Sequence, residues 1–153
     1  LRHPTWLPTM SCIDGIFPRL ESLEIGNFSS FTTSFCRGVT CFQRLQLICL
    51  KEAKLTDEQE TAFLLHRSLQ DLHFVSCGDL VYLPTGLHRL PTLKTLTIYR
   101  CGRISRLPKE GLPPSLEELE INYCSKKLSK QCRSLATSKL KVKIVDRPPW
   151  MRN

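Results

Sequence analysis

Apolar residues recur in the order apolar-x-x-apolar-x-apolar at five places along the chain. They are Leu20, Leu23, Ile25; Leu45, Ile48, Leu50; Leu69, Leu72, Phe74; Leu93, Leu96, Ile98; and Leu116, Leu119, Ile121. The starts step by 25, 24, 24 and 23 residues. Between these positions the polar letters change from copy to copy, as in SLQDLHFVSCGDLVYLP (68–84) beside TLKTLTIYRCGRISRLP (92–108). A duplicated catalytic site would hold its polar letters and let the filler drift; this chain does the opposite. The alternation closing each triplet predicts a short strand with every second residue in the core. No single copy can bury its own leucines, so neighbouring copies must stack.

Further positions share the register. The ninth letter of the last three copies is Cys77, Cys101 and Cys124, small enough to sit inside the turn that leaves the strand. There a thiol can offer its weak donor to a backbone carbonyl. Phe28 and Ala53 hold that place in the first two copies. Leu80 and Leu83, then Ile104 and Leu107, follow with equal spacing, closed by Pro84 and Pro108 where the chain leaves extended. Thr56 with Gln59 three residues on is a capping-box signature, predicting a short helix from Asp57 to Leu65. Lys127 occupies the place of Leu80 and Ile104, with Leu128 one residue late, which marks the end of the stack. The alternating Leu140–Val145 reads as a last strand over the open edge, within a C-terminal cap spanning 128–153. HPTWLPTM at the start reads as the return of an earlier copy, with Trp6 and Leu7 in the core, and Leu1 in place of an initiator Met implies a piece of a longer chain.

This periodicity is that of the leucine-rich repeat, one parallel strand per copy and a return across the outer face. The expected fold is an α/β leucine-rich-repeat solenoid, a right-handed superhelix forming a single domain over 1–153. It has a parallel concave β-sheet and short-helix or irregular convex returns. The L-x-x-L-x-I-x-x-C-x-x-L-x-x-L-P form, with GLPPSLEELEINYC and the closing KLKVKIV, resembles the C-terminal repeats of plant nucleotide-binding leucine-rich-repeat immune receptors, cereal members above all. The likeness covers most of 17–145, is most specific in the last three copies, and fails over Phe28–Phe42. It implies a non-enzymatic sensing and autoregulatory segment of an intracellular receptor, cytoplasmic and also nuclear. Its partners would be a pathogen or pest effector, or a guarded host protein, and the receptor's own nucleotide-binding domain. ADP or ATP would belong to that other domain, since this sequence has no G-x-x-x-x-G-K-[ST] run and needs no cofactor. KLTDEQETAFL also looks like the helix opening of cysteine-containing repeats in F-box proteins, which leaves a substrate-recruiting ubiquitin-ligase adaptor as the alternative.

Strand letters that point away from the core line the concave face. By this register the fifth letters are Glu24, Cys49, His73, Thr97 and Glu120. The seventh are Gly26, Lys51, Val75, Tyr99 and Asn122, and the eighth Asn27, Glu52, Ser76, Arg100 and Tyr123. The third are Ser22, Leu47, Asp71, Thr95 and Glu118. The candidate partner-binding set is His73, Val75, Thr97, Tyr99, Arg100, Glu118, Glu120, Asn122 and Tyr123. Within it Tyr99, Arg100 and Tyr123 are of the types that dominate interface energies, and Glu117, Glu118 and Glu120 add an acidic patch. A five-strand face offers about 500 Å², less than the roughly 800 Å² per partner of a standard interface, so this segment alone should bind weakly.

Charge sharpens the picture at one end. The net +8 falls wholly within 100–153, because residues 1–99 carry nine basic and nine acidic side chains. A basic flank attracts acidic surfaces, whether another domain, nucleic acid or anionic lipid. Lys126, Lys127, Lys130 and Arg133 are the candidate intramolecular dock on an acidic face of the receptor, with nucleic acid not expected. The apolar runs fall far short of the roughly 20 residues of a membrane span. Eight cysteines raise a disulfide scaffold, but Cys77, Cys101 and Cys124 belong to the turn ladder and a reduced compartment is expected. Cys12, Cys36, Cys41 and Cys132 receive no role, and Asn27-Phe28-Ser29 is a lone glycosylation sequon. No C-x-x-C pair supports zinc at Cys36 and Cys41, so no metal is expected. A Cys49–His73 nucleophile on neighbouring strands lacks an oxyanion hole and an orienting carboxylate; neither an enzyme nor a small-molecule substrate is expected. His3, His66 and His88 are assigned to loops and the outer surface.

Overall fold

A computed structural model describes residues 2–3, 22–25 and 43–151. Among them seven strands run parallel in one sheet, in chain order: β1 Arg2–His3, β2 Ser22–Ile25, β3 Arg44–Ile48, β4 Asp71–Val75, β5 Thr95–Tyr99, β6 Glu118–Asn122 and β7 Lys141–Val145. Each strand pairs in parallel with the next, so every connection must return to the start of the sheet. The chain is therefore an α/β protein on a parallel sheet. Trp6, Leu7, Phe28, Asn27, Cys12, Cys36 and Cys41 lie outside the described residues.

Strand pairing lines the leucines up. Leu45, Leu72, Leu96 and Leu119 form one row and Leu47, Phe74, Ile98 and Ile121 the next, all sealed from solvent. Leu69, Leu93 and Leu116 stand three residues ahead of the first row and belong to the same core. Outward residues of β4 and β6 alternate with these and stay partly exposed, as period-two geometry requires.

The register corrects one reading of the sequence. Leu45 pairs with Leu72 and with Leu23, so it is the second apolar residue of its copy and not the first. That copy begins three residues earlier, at Phe42, and Leu50 takes the place of the turn cysteine, 1% exposed. Ile48 faces outward, half-buried. Both registers satisfy apolar-x-x-apolar-x-apolar, because Phe42, Leu45, Leu47 and Leu45, Ile48, Leu50 each fit it. Packing decides between them by burying Leu47 and Leu50 together.

Strands β3 to β6 end in the same device. Cys49, Ser76, Arg100 and Tyr123 all adopt left-handed backbone, with φ of 52°, 53°, 54° and 57°. Their N–H groups donate to Val75, Tyr99, Asn122 and Val145 of the next strand at 2.8–3.0 Å. The bend turns the following residue inward, which is why Leu50, Cys77, Cys101 and Cys124 are buried. The thiols then reach back one strand. Cys77 Sγ lies 3.4 Å from Leu47 O, Cys101 Sγ 3.6 Å from Phe74 O, and Cys124 Sγ 3.3 Å from Ile98 O. Hydroxyls ahead of the first leucine add further ties: Thr92 Oγ1 donates to Leu69 O at 2.9 Å and Ser115 Oγ to Leu93 O at 2.7 Å.

Among the described residues the returns hold two α-helices. The first, α1, spans Asp57–Leu64; Gln59 N donates to Thr56 Oγ1 at 3.2 Å and Thr56 N to Gln59 Oε1 at 2.9 Å, closing the expected capping box. Acidic Asp57, Glu58 and Glu60 in its first turn favour the helix dipole. Glu60 also accepts from Thr85 N and Gly86 N, at the start of the 3-10 turn Thr85–Arg89 in the next return. The second, α2, spans Lys126–Arg133 and absorbs the irregularity at Lys127. Ser125 caps it by accepting from Leu128 N at 3.2 Å, while Leu128, Ser129 and Cys132 turn inward and the lysines outward. His66 is not on the surface: it follows α1 fully buried. His3 lies in β1 rather than a loop.

Candidate functional site

Rebuilt on the observed register, the outward rows across β3–β7 differ from those read off the sequence in the β3 copy. Arg44, Asp71, Thr95, Glu118 and Lys141 share one row, and Gln46, His73, Thr97, Glu120 and Lys143 the next. Ile48, Val75, Tyr99, Asn122 and Val145 form the third. Cys49, Ser76, Arg100 and Tyr123 follow immediately, at the left-handed bends. Leu47, Cys49, Lys51 and Glu52 therefore leave the rows assigned to them. The Cys49–His73 pairing also dissolves, since His73 lies opposite Gln46 while Cys49 sits at the strand end.

The structure brings together the three residues singled out as a cluster. Tyr99 and Tyr123 meet edge to face with centroids 5.7 Å apart. The Arg100 guanidinium lies 5.4 Å from the Tyr99 ring and 6.0 Å from that of Tyr123. The T-shaped pair is favoured by the ring quadrupoles, and each ring face attracts the cation. Arg147 Nε donates to Tyr123 O at 2.9 Å, fixing the bend that presents the second ring. Its guanidinium fills the space above Gly102, where a Cβ would stand only 2.6 Å from Nη2. Any larger residue there would push this support aside.

Other expected contacts are less available. Thr97 is a correction: it is 9% exposed, in the row between His73 and Glu120, so its side chain offers a partner almost nothing. The acidic patch is largely answered within the sheet. Lys143 Nζ donates to Glu118 Oε1 at 2.9 Å, and Asn122 Nδ2 donates to Glu120 Oε1 at 2.7 Å. Burial lowers the pKa of His73 and Arg44 adds to that, against the opposing pull of Asp71 and Glu120, so the ring favours its neutral form. On α2, Lys126, Lys127 and Lys130 are exposed, whereas Arg133 is bound to Asp146.

A second feature went unread in the sequence. A groove of about 460 Å³ between the returns is floored by Leu55, Leu83 and Leu107 and flanked by Tyr82 and Arg106, whose guanidinium stands 5.9 Å from the ring. The two residues lie at matching places, just ahead of Leu83 and Leu107, and that shared offset was the available signal. Among the described residues no group of His, Cys, Asp or Glu could hold a metal ion, and no helix is long and apolar enough to cross a membrane. The described cysteines are free thiols.

These observations define an α/β protein with a parallel sheet that presents an aromatic–arginine cluster on its outward face. Comparison with protein-family models, curated proteins and solved structures finds no match.

Proposed function

We propose that the chain is a leucine-rich-repeat solenoid that works as a non-enzymatic protein-interaction segment, the sensing and autoregulatory part of a plant intracellular immune receptor. The observation carrying this reading is the Tyr99–Arg100–Tyr123 cluster, rigidly held on an outward face whose polar letters vary while the core letters repeat. Aromatic and arginine side chains on a preorganised surface are what concentrates binding energy in a few positions. The partners are an effector or guarded host protein on the concave face and, through Lys126, Lys127 and Lys130, an acidic face of the receptor's nucleotide-binding domain. Nucleotide would be held by that domain, in the cytoplasm or nucleus.

The test is made in leaf cells with the full-length receptor. Replacing Tyr99 and Tyr123 together by Ala should abolish recognition-triggered cell death at unchanged protein level. Reversing Lys126, Lys127 and Lys130 to Glu should raise the response without any trigger. A receptor behaving as wild type in both experiments would overturn the reading.

A further inference from the structure

The corrected register exposes a feature that neither the residue types nor the first reading of the columns revealed. One outward row is apolar at four of its five positions: Ile48, Val75, Tyr99, Asn122 and Val145, consecutive partners across β3 to β7. The two outward rows that precede it along the strands are polar or charged throughout. Val145 is 47% exposed and the other four are half-buried, so the stripe is accessible along its length. Arg100 stands just past its middle, exposed and held over the two rings. Among the described residues it has no carboxylate partner, whereas Arg44, Arg133 and Lys143 each have one.

We infer that this stripe is the seat of an amphipathic helix from a protein partner, laid across the strands with a carboxylate facing Arg100. The inference rests on the interaction reading above and names the partner's chemistry. Spacing selects the helix. Side chains in the stripe repeat once per strand, about every 4.8 Å. Apolar positions three and four apart on a helix repeat every 4.5–6 Å along its axis. An extended peptide presents one face only about every 6.6 Å and drifts out of step within two strands. Five strands span about 19 Å, which a helix covers in roughly 13 residues. Charge then orients it. A carboxylate on the flank of that helix would meet an arginine already fixed by stacking, so little side-chain freedom is lost on pairing.

The experiment uses the full chain and a lactam-stapled helical peptide of about 14 residues. It carries Leu at helical spacing and Glu on one flank, and fluorescence anisotropy reports binding. The Glu peptide should bind at least about tenfold tighter than its Lys counterpart, and Arg100→Glu should reverse that order. Val145→Asp, at an exposed edge position the fold tolerates, should weaken binding about tenfold, as should Val75→Asp. Failure of the wild-type chain to bind the Glu helix would overturn the inference. So would equal affinity for the Glu and Lys helices, or equal or tighter binding of an extended peptide with alternating Leu and Glu. These outcomes are independent of the cell-death test: loss of response in the tyrosine variants with no helix preference would sink the helix and leave the interaction role standing.

Discussion

The observed register of the β3 copy makes a sharp claim about two residues only two apart. Leu50 is 1% exposed and belongs to the core, whereas Ile48 lies half-buried on the outward row. In the register that the step of 24–25 residues favours, Ile48 would be a core residue as well. Leu50→Ala removes three carbon atoms, about 2.4 kcal/mol of transfer free energy at about 0.8 per methylene. The sealed site cannot collapse fully, because Leu47 and Cys77 are pinned by their own strands, so a cavity term brings the loss to about 3 kcal/mol. Ile48→Ala removes as many atoms, but water already reaches that side chain and fills what is vacated; the loss should stay near 1 kcal/mol. Urea unfolding of the two variants, followed by circular dichroism, measures both at constant m-value. Equal losses, or a larger loss at Ile48, would refute the register and with it the apolar stripe.

Three further outcomes follow from the packing. Burial lowers the His66 pKa from 6.5 to about 4, so the unfolded chain takes up a proton as pH falls through 6.5 while the folded chain resists until about 4. Stability should fall by about 1.4 kcal/mol per pH unit across that window, about 3 kcal/mol in all, and His66→Leu should flatten the slope in urea titrations from pH 7 to 4. Ser76 holds φ at 53° without being glycine; Ser76→Val should cost about 1–2 kcal/mol and Ser76→Gly nothing, read from thermal midpoints. Among the described cysteines Cys49 alone is exposed, while burial pushes Cys132 up to about 12 and raises Cys124, and the hydrogen bond with Cys77, then burial, raises Cys101. Among these five cysteines, peptide-resolved alkylation of the native chain should label Cys49 first, with the four buried thiols reacting only after unfolding.

The strand positions from Leu69 onward were legible because the leucine triplet and the turn cysteine keep one spacing in all three copies, and the Leu-Pro ending repeats in the first two of them. The cysteine ladder was legible in its chemistry too, since a small thiol fits inside the turn and can offer its weak donor to the carbonyls beside it. Helix α1 was announced by Thr56 and Gln59, a local device that needs no tertiary partner. The β3 copy was not legible because its turn position holds Leu50, and leucine there looks like a core letter of the strand. Nor was the left-handed row: Cys49, Ser76, Arg100 and Tyr123 share no chemistry, and their conformation is imposed by the N–H bond each makes to the next strand. His66 was misread because burial of a neutral imidazole depends on how α1 packs, which no spacing encodes.

Charge illustrates how the fold redistributes what composition only counts. The sequence places the entire +8 in residues 100–153 as though it were one basic flank. In the sheet, Lys141 and Lys143 lie opposite Glu118 and Glu120, so β6 and β7 cancel much of each other's charge across the ladder. Arg133 is held by Asp146, and Arg147 is spent on Tyr123 O. Of the exposed cations that remain, Arg103, Arg106 and Lys109 lie on a return, Lys126, Lys127 and Lys130 on α2, and Arg100 over its tyrosines at the strand ends. The helix lysines are flexible point charges suited to long-range attraction, which sets encounter rates and fades with salt. Arg100 is a fixed planar donor suited to one carboxylate at close range. Two surfaces of the same sign thus carry different physics, and a partner chosen by one need not be the partner chosen by the other.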